Sequence, residues 1–243
     1  MSRRQPSLLW IQPGEPLPPA SLALTEPNGL LAAGRDLSAE RLLEAYSGGI
    51  FPWYSEGQPV LWWSPDPRMV LSLDRFKVSR SLTKTLRRLH RQECWTITLD
   101  RAFAQVMQAC AAPRDNVSPG TWITPAIRSA YGELHRRGMA HSVEVWENDA
   151  LIGGLYGVSI GRMFFGESMF ARRTDASKTA LAALVQTLRR LEFRVIDCQQ
   201  NTGHLASLGA HEISRENFLE EVSALIRLPA PDWSSVEMEI PQA

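Results

Sequence analysis

The chain has 243 residues, of which 44% are hydrophobic and 21% charged, and its formal net charge is zero. This composition is ordinary for a globular protein with a sizeable core, and it argues against a globally basic nucleic-acid binder without excluding a local basic patch. Cys94, Cys110 and Cys198 are too scattered to predict a disulfide framework, and the histidines show no metal-ligand spacing. Neither a signal peptide nor a membrane-spanning run is apparent. We therefore expect a cytoplasmic protein without a bound metal.

The first 70 or so residues predict one helix between irregular segments. Residues 1–37 are rich in proline and glycine and are expected to be mostly irregular. The stretch "DLSAERLLEAYSGG" predicts a short helix that Ser38 caps and that Gly48 and Gly49 end. The next stretch, "IFPWYSEGQPVLWWSPDPR", is rich in proline and tryptophan, and it predicts a loop with short extended pieces.

Residues 79–91, "SRSLTKTLRRLHR", predict an amphipathic helix. Leu82, Leu86 and Leu89 form its apolar stripe. The opposite face carries five basic residues: Arg80, Lys84, Arg87, Arg88 and Arg91. A merely solvated face explains this pattern as well as a phosphate-binding surface does. The absence of acidic partners one turn away favours the second interpretation.

The rest of the chain predicts alternating strands and helices. The segments are, in order, strand "WTITL", helix "DRAFAQVMQACA" capped by Asp100, a loop with prolines and "GTW", helix "TPAIRSAYGELHRRG" capped by Thr124, strands "HSVEVWE", "ALIGGLYGVSI" and "MFFGESMF", helix "DASKTALAALVQTLRRL", strand "FRVIDCQ" and a final helix from Ser214. This order of β-α-α-β-β-β-α-β-α is that of the acetyltransferase-type (GNAT) fold. We expect an α/β (α+β) domain with a mostly antiparallel mixed sheet flanked by helices, over residues 67–243, after a small N-terminal domain at 1–66.

Two polar residues end the predicted strand "VIDCQ". Strand alternation places Asp197 and Gln199 on one face and Cys198 on the other. Because sites in open α/β sheets gather at strand ends, the pair is a candidate site, although an edge residue with a cap explains it equally well. Cys198 is more readily interpreted as a buried, inert thiol than as a nucleophile.

An acid interrupts the apolar run "GRMFFGESMF". Strict alternation would place Glu167 with Phe165 and Met169, away from Phe164, unless Gly166 hosts a bulge. A carboxylate beside Phe and Met suits a pocket that holds an apolar group next to an ammonium. The alternative is a simple ion pair with an arginine such as Arg172.

Four tryptophans fall in predicted loops rather than on periodic core faces: Trp53, Trp62, Trp63 and Trp122. Buried loop tryptophans are usually structural. Alternatively, their flat faces can stack on a nucleobase.

The motif that acetyltransferases use to hold CoA is missing. In the GNAT fold, [QR]-x-x-G-x-[GA] normally begins the helix after the central strand, whereas here the corresponding stretch is "RRTDASK", which does not match. A P-loop, a dinucleotide fingerprint and H-E-x-x-H are missing too. The predicted fold thus indicates acyl transfer, but the sequence lacks the motif that would bind acyl-CoA, the usual acyl donor of this fold.

The chain resembles the leucyl/phenylalanyl-tRNA–protein transferase family. The runs "EPNGLLA", "AYSGGIFPW", "LWWSPDPR", "GTWIT", "AHSVEVW", "GGLYGV", "FFGESMF", "ASKTAL", "IDCQ" and "ASLGA" carry the likeness in order over roughly residues 26–220. The resemblance implies a cytoplasmic, monomeric enzyme that needs no metal or other cofactor. It would move Leu, Phe or Met from aminoacyl-tRNA to proteins that begin with Arg or Lys, which creates an N-terminal degradation signal (N-degron).

The resemblance also implies roles for particular residues. The side-chain pocket for Leu or Phe would comprise Leu155, Phe164 and Met169, with Glu167 facing the ammonium. Tyr46, Trp53, Trp122 and Tyr131 would hold the 3′-terminal adenosine, and the basic helix would lie along the acceptor stem. Asp197 and Gln199 would act at the reacting ester. A CoA-dependent N-acetyltransferase and a non-catalytic RNA-binding module are the alternatives, and the second gives no reason for Glu167 or the Asp197–Gln199 pair.

Overall fold

The computed structural model describes residues 8–92, 94–112 and 121–242. These residues form strands and helices in close alternation. The strands are β1 (Leu9–Ile11), β2 (Leu30–Gly34), β3 (Phe51–Pro52), β4 (Val60–Trp63), β5 (Arg68–Ser72), β6 (Thr96–Leu99), β7 (Ala140–Glu147), β8 (Ala150–Ile160), β9 (Met163–Ala171), β10 (Val195–Gln199) and β11 (His211–Ile213). The helices are α1 (Ala39–Ser47), α2 (Arg80–Gln92), α3 (Phe103–Ala111), α4 (Pro125–Arg136), α5 (Ala176–Arg190), α6 (Gly203–Ser207) and α7 (Arg215–Leu225).

The strands build two sheets. The first has the order β1-β2-β4-β3 and the second the order β11-β5-β10-β9-β8-β7-β6. In the second sheet every neighbouring pair is antiparallel except β9 with β10, which are parallel. The predicted class, a mixed α/β fold whose sheet is mostly antiparallel, is therefore confirmed. The chain passes from the first sheet to the second between Trp63 and Arg68, while the division into domains at residue 66 stays a prediction.

Helices cover both faces of the second sheet. Successive side chains along each strand point to opposite faces, and each face packs in its own hydrophobic cluster. Helices α1, α3, α4 and α7 pack on one face together with the first sheet, and α2 and α5 pack on the other. Neighbouring residues of one strand therefore lie in different clusters: Phe165 packs on the side of α1, α3, α4 and α7, and Phe164 packs on the side of α2 and α5. None of the described helices is both long enough and apolar enough to span a membrane.

The predicted helices form where their sequence signals lie. Ser38, Thr124 and Ser214 each accept a hydrogen bond from a backbone N–H in the first turn of the helix that follows. Leu82 and Leu86 of α2 are fully buried, as the apolar stripe predicted. The loop predicted after α3 lies mainly in residues 113–120, outside the described residues.

Residues 8–37, the described part of the segment expected to be mostly irregular, are so apart from a 3-10 turn and the short strands β1 and β2, which pair in parallel. Other expectations were wrong. Asp100 does not cap α3, whose N-cap is Ala102 without a side-chain hydrogen bond. Asp100 instead has a φ of 59° and accepts hydrogen bonds from His141 Nδ1 (2.7 Å) and Ser142 N (2.8 Å).

Two of the four tryptophans expected in loops belong to a strand. Trp62 and Trp63 lie in β4, and Trp62 is fully buried in the core. The short strands β5 and β11 were not predicted, yet β5 lies inside the second sheet between β11 and β10.

Candidate active site

A cavity of about 500 Å³ lies where β9 and β10 diverge. These parallel strands pair only at Phe164 with Ile196 and at Phe165 with Asp197, and beyond Asp197 the chain of β10 pairs with β5 alone. The apolar wall of the cavity includes Leu71, Leu155, Phe164, Met169, Leu181 and Leu184. Its polar side includes Glu167, Ser168, Gln199, Gln200, Thr202 and His204. One opening in the sheet therefore presents an apolar recess next to a carboxylate and an amide.

A bulge in β9 creates this division between apolar and polar walls. The register of β9 against β8 shifts so that Gly166 faces Gly157, Ser168 faces Tyr156, and Glu167 has no partner between them. The extra residue reverses the alternation that follows it, and Met169 therefore shares the α5 side with Phe164. The bulge that Gly166 made possible in the sequence thus exists, and it brings Phe164 and Met169 into one pocket and leaves Glu167 on the polar wall.

Glu167 is held by hydroxyls and an amide rather than by an arginine. Its Oε1 accepts hydrogen bonds from Tyr46 Oη (2.6 Å) and Gln199 Nε2 (2.9 Å), and its Oε2 accepts one from Tyr131 Oη (3.2 Å). The two tyrosine hydroxyls also contact each other. Burial raises the pKa of Glu167 to about 7, although the tyrosine hydrogen bonds oppose the shift. The suspected partner Arg172 instead donates to the carbonyl oxygen of Leu151 (3.0 Å).

Asp197 lies behind the cavity in a buried ion pair with Arg68. Both side chains are fully buried, and Arg68 donates through Nε (2.8 Å) and Nη2 (2.6 Å) to the two carboxylate oxygens. The guanidinium lies between the rings of Phe51 and Phe218 and also donates to the carbonyl oxygen of Gly49 (3.1 Å). Such a bidentate pair fixes both partners. Asp197 therefore acts on the site through its neighbours.

The backbone of Gln199 is fixed by Asp197 and its side chain by Glu167. Asp197 Oδ1 accepts the backbone N–H of Gln199 (2.9 Å), and Gln199 has a φ of 63° at a register shift of β10. Because Nε2 of the amide donates to Glu167, Oε1 is left to accept a hydrogen bond in the cavity. Cys198 packs towards the α5 side, and burial raises the pKa of its thiol, as expected of an inert cysteine.

Trp53 and Trp122 flank the mouth of the cavity. Trp53 is 42% exposed, and its backbone oxygen accepts a hydrogen bond from Trp63 Nε1 (2.7 Å). The same two tryptophans also line a second cavity of about 1010 Å³ that adjoins the first at Ser168. Two indole side chains therefore lie where the two cavities adjoin, and an indole ring can stack on a flat ligand.

Helix α2 carries an exposed basic surface next to the cavity wall. All five predicted basic residues are exposed, and within the described residues none of them takes part in an ion pair. Asp175, at the start of α5, accepts hydrogen bonds from Ser81 (3.4 Å) and Thr85 (2.9 Å). These bonds fix α2 to α5, whose residues Leu181 and Leu184 line the cavity.

The chain matches two family models, whose descriptions agree. "Leucyl/phenylalanyl-tRNA protein transferase" matches residues 70–223, and the N-terminal domain of the same family matches residues 35–66. Proteins named leucyl/phenylalanyl-tRNA–protein transferase from Cupriavidus metallidurans and Bordetella avium are 61% and 58% identical to it. The first match covers 88% of either chain, and the second covers 92% of this chain and 91% of the relative. The chain belongs to the leucyl/phenylalanyl-tRNA–protein transferase family.

Members of this transferase family are aminoacyltransferases, which agrees with the acyl-transfer fold and the missing CoA motif. Solved structures match only distantly. The L-PGS of Bacillus licheniformis is 12% identical with a TM-score of 0.38, over 71% of this chain and 55% of that one. A GCN5-related N-acetyltransferase of Kribbella flavida is 10% identical with a TM-score of 0.32, over 71% and 60%. Likeness at this level carries no argument about function.

The structure brings most of the predicted site residues of this transferase to one place. The cavity is lined by Leu155, Phe164, Met169, Glu167, Gln199, Trp53 and Trp122, and by Asp197 at its base. Tyr46 and Tyr131 are fully buried behind Glu167, and neither lines the cavity. Their hydroxyls hold the carboxylate, while a contact with adenosine stays a prediction.

Sequence reasoning missed Arg68, which holds both Asp197 and the loop before β3. Its signal was present, since a single arginine stands between the prolines of "SPDPR" and the apolar run "MVLSL". A charge at the start of a buried strand calls for a buried partner. Across the described ranges, His, Cys, Asp and Glu side chains form no group of three that could hold a metal ion.

Proposed function

We propose that this transferase moves Leu, Phe or Met from the 3′ end of its tRNA to the α-amine of proteins that begin with Arg or Lys. The product carries an N-degron, and the enzyme works as a cytoplasmic monomer with no cofactor besides the aminoacyl-tRNA substrate. One observation supports this most strongly: a single cavity joins an apolar recess, a hydrogen-bonded carboxylate and two flanking tryptophans.

The aminoacyl group fits this cavity by its chemistry. The Leu or Phe side chain enters the recess of Leu155, Phe164 and Met169, where burying apolar surface stabilises the complex by roughly 25 cal/mol per Å². The α-ammonium of the aminoacyl group lies next to Glu167. This positive charge favours the ionised form of the carboxylate, although burial opposes it. The adenosine stacks on Trp53 and Trp122 at the mouth.

The reaction is the aminolysis of an ester. The acceptor's α-amine attacks the ester carbonyl carbon, a C–N bond forms, and the bond from that carbon to the 3′-oxygen breaks. A free α-amine has a pKa of roughly 8, so part of it is already neutral at physiological pH. Gln199 Oε1 accepts a hydrogen bond from the attacking amine and positions it. The amine's proton passes to the departing 3′-oxygen by way of the adjacent 2′-hydroxyl.

Positioning carries most of the catalysis in this scheme, because the amide of Gln199 is not a strong base. Asp197 fixes the backbone of Gln199, and Glu167 fixes its side chain. The exposed basic residues of α2 bind the phosphates of the acceptor stem, which gives affinity without sequence preference and with a strong dependence on salt.

A transfer assay tests the proposal. The protein is incubated with labelled Leu-tRNA and peptides that begin with Arg, Lys or Ala, and an N-acetylated Arg peptide is the matched control. Label is expected in the first two peptides only. Failure to label any peptide, or equal labelling of the Ala and acetylated peptides, contradicts the proposal. Acetylation of the Arg peptide by labelled acetyl-CoA would favour an N-acetyltransferase instead.

A further inference from the structure

The C-terminal segment, residues 226–242, reaches the back of the cavity wall. It lies beyond residue 223, where the family model ends, and it crosses α5 to α2. Gln242 N donates to Gln186 Oε1 (3.0 Å), and the ring nitrogen Nε2 of His90 lies 3.0 Å from the carbonyl oxygen of Pro241. These contacts fix the end of the segment against α2 and α5.

Trp233 is the buried anchor of this segment. It is 8% exposed and packs in an aromatic cluster whose ring centroids lie 6.3 Å from it at Phe164, 6.0 Å at Phe193 and 4.3 Å at His141. His141 stacks on the indole and is itself fixed by Asp100. Trp233 therefore stands on a fixed support and contacts the cavity wall at Phe164.

Phe164 has no room to move towards β8. It is 1% exposed, and a Cβ added at Gly157 would lie 2.5 Å from its Cε1 and 2.8 Å from its Cζ. The ring is thus packed directly on the glycine backbone, with Trp233 beside it. If the indole were smaller, Phe164 could move away from β8 into the space that Trp233 now fills.

We propose that Trp233 is a positioning residue that sets the depth of the aminoacyl pocket and so the choice between Leu and Phe donors. The inference rests on the proposed function, because Phe164 is taken as the wall that meets the donor side chain. A smaller residue at 233 lets Phe164 move back, which deepens the recess and favours the larger side chain. One methylene more or less in a hydrophobic pocket changes the discrimination between two ligands about 10- to 200-fold. A partial movement of Phe164 should therefore change the preference between Leu and Phe about fivefold.

The test compares the affinities of two unreactive analogues, adenosines that carry leucine or phenylalanine through a 3′-amide. Both are titrated into the wild type, Trp233→Leu, Trp233→Phe and the control Trp146→Leu. Trp146 is also buried, but it lies in β7, its Nε1 donates to Thr98 Oγ1 (2.8 Å), and it packs in the other hydrophobic cluster from Phe164. The ratio of the two dissociation constants should shift about fivefold towards Phe in Trp233→Leu, less in Trp233→Phe, and not in the control.

Transfer from Leu-tRNA and Phe-tRNA is measured in parallel, after thermal unfolding has shown which variants are folded. An unchanged ratio in folded Trp233→Leu overturns the inference. If that variant does not fold, an unchanged ratio in Trp233→Phe overturns it. An equal shift in the control also overturns it, since loosening of the fold would then suffice. Absence of transfer in the wild type with a shifted binding ratio would contradict the proposed reaction and leave the role of Trp233 standing.

Discussion

Replacing Glu167 with Gln should abolish one component of the pH dependence of stability. Gln is nearly isosteric, and its carbonyl oxygen can still accept from Tyr46 and Gln199, so packing is retained. In the wild type the folded-state pKa is raised from 4.5 to about 7. The folded protein therefore keeps a proton that the unfolded chain has lost between these pH values. The resulting contribution to stability is fully present below pH 4.5 and is lost as the pH rises through about 7.

The size of this component follows from the shift. One pKa unit corresponds to about 1.4 kcal/mol, so between pH 5 and pH 8 the wild type should lose about 2.5 kcal/mol that Glu167→Gln does not lose. Urea unfolding of both proteins across this range measures the difference, in which the other titrating groups cancel. A constant difference between the two free energies of unfolding from pH 5 to pH 8 would refute the account of Glu167. At pH 8 the variant should also use Leu-tRNA poorly while binding uncharged tRNA normally.

The other predictions concern the ion pair, the amide and the basic helix. Asp197→Ala leaves Arg68 charged and buried without its partner, so unfolding free energy should fall by about 3–5 kcal/mol in urea titrations, and a loss below about 1 kcal/mol would contradict the buried pair. Gln199→Ala should lower the single-turnover rate of transfer about 100-fold with unchanged tRNA affinity, and an undiminished rate removes Gln199 from the mechanism. Changing Arg87 and Arg88 together to Ala should weaken tRNA binding and make the negative slope of log K against log salt shallower by about 2. An unaltered slope would show that the two arginines of α2 do not contact phosphates.

Local signals in the sequence were enough for most of the helices. The apolar stripe of α2, the caps at Ser38 and Thr124, and the glycine and proline signals depend on neighbours within a few residues, and the structure confirms them. Asp100 shows the limit of such reasoning. A cap is a local feature, but this carboxylate is engaged instead by His141 and Ser142, which are distant in sequence.

The partners within the site could not be predicted in the same way. Tyr46 and Tyr131 reach Glu167 from helices that lie far from it in sequence, and no periodicity connects them. Arg68 was missed because the prolines before it predict a loop, and the apolar run after it is too short to predict the buried strand β5. Gly166 made a bulge possible but did not decide it, and only the register of β8 against β9 shows that it falls at Glu167 and which side chains it brings together.

The most direct test of the account is single-turnover transfer from Leu-tRNA to a peptide that begins with Arg, with the product's N-terminal sequence determined by mass spectrometry. The account predicts one leucine added to the α-amine, by wild-type protein without added metal or CoA. A product that carries the leucine elsewhere, or no product with intact tRNA binding, would contradict it.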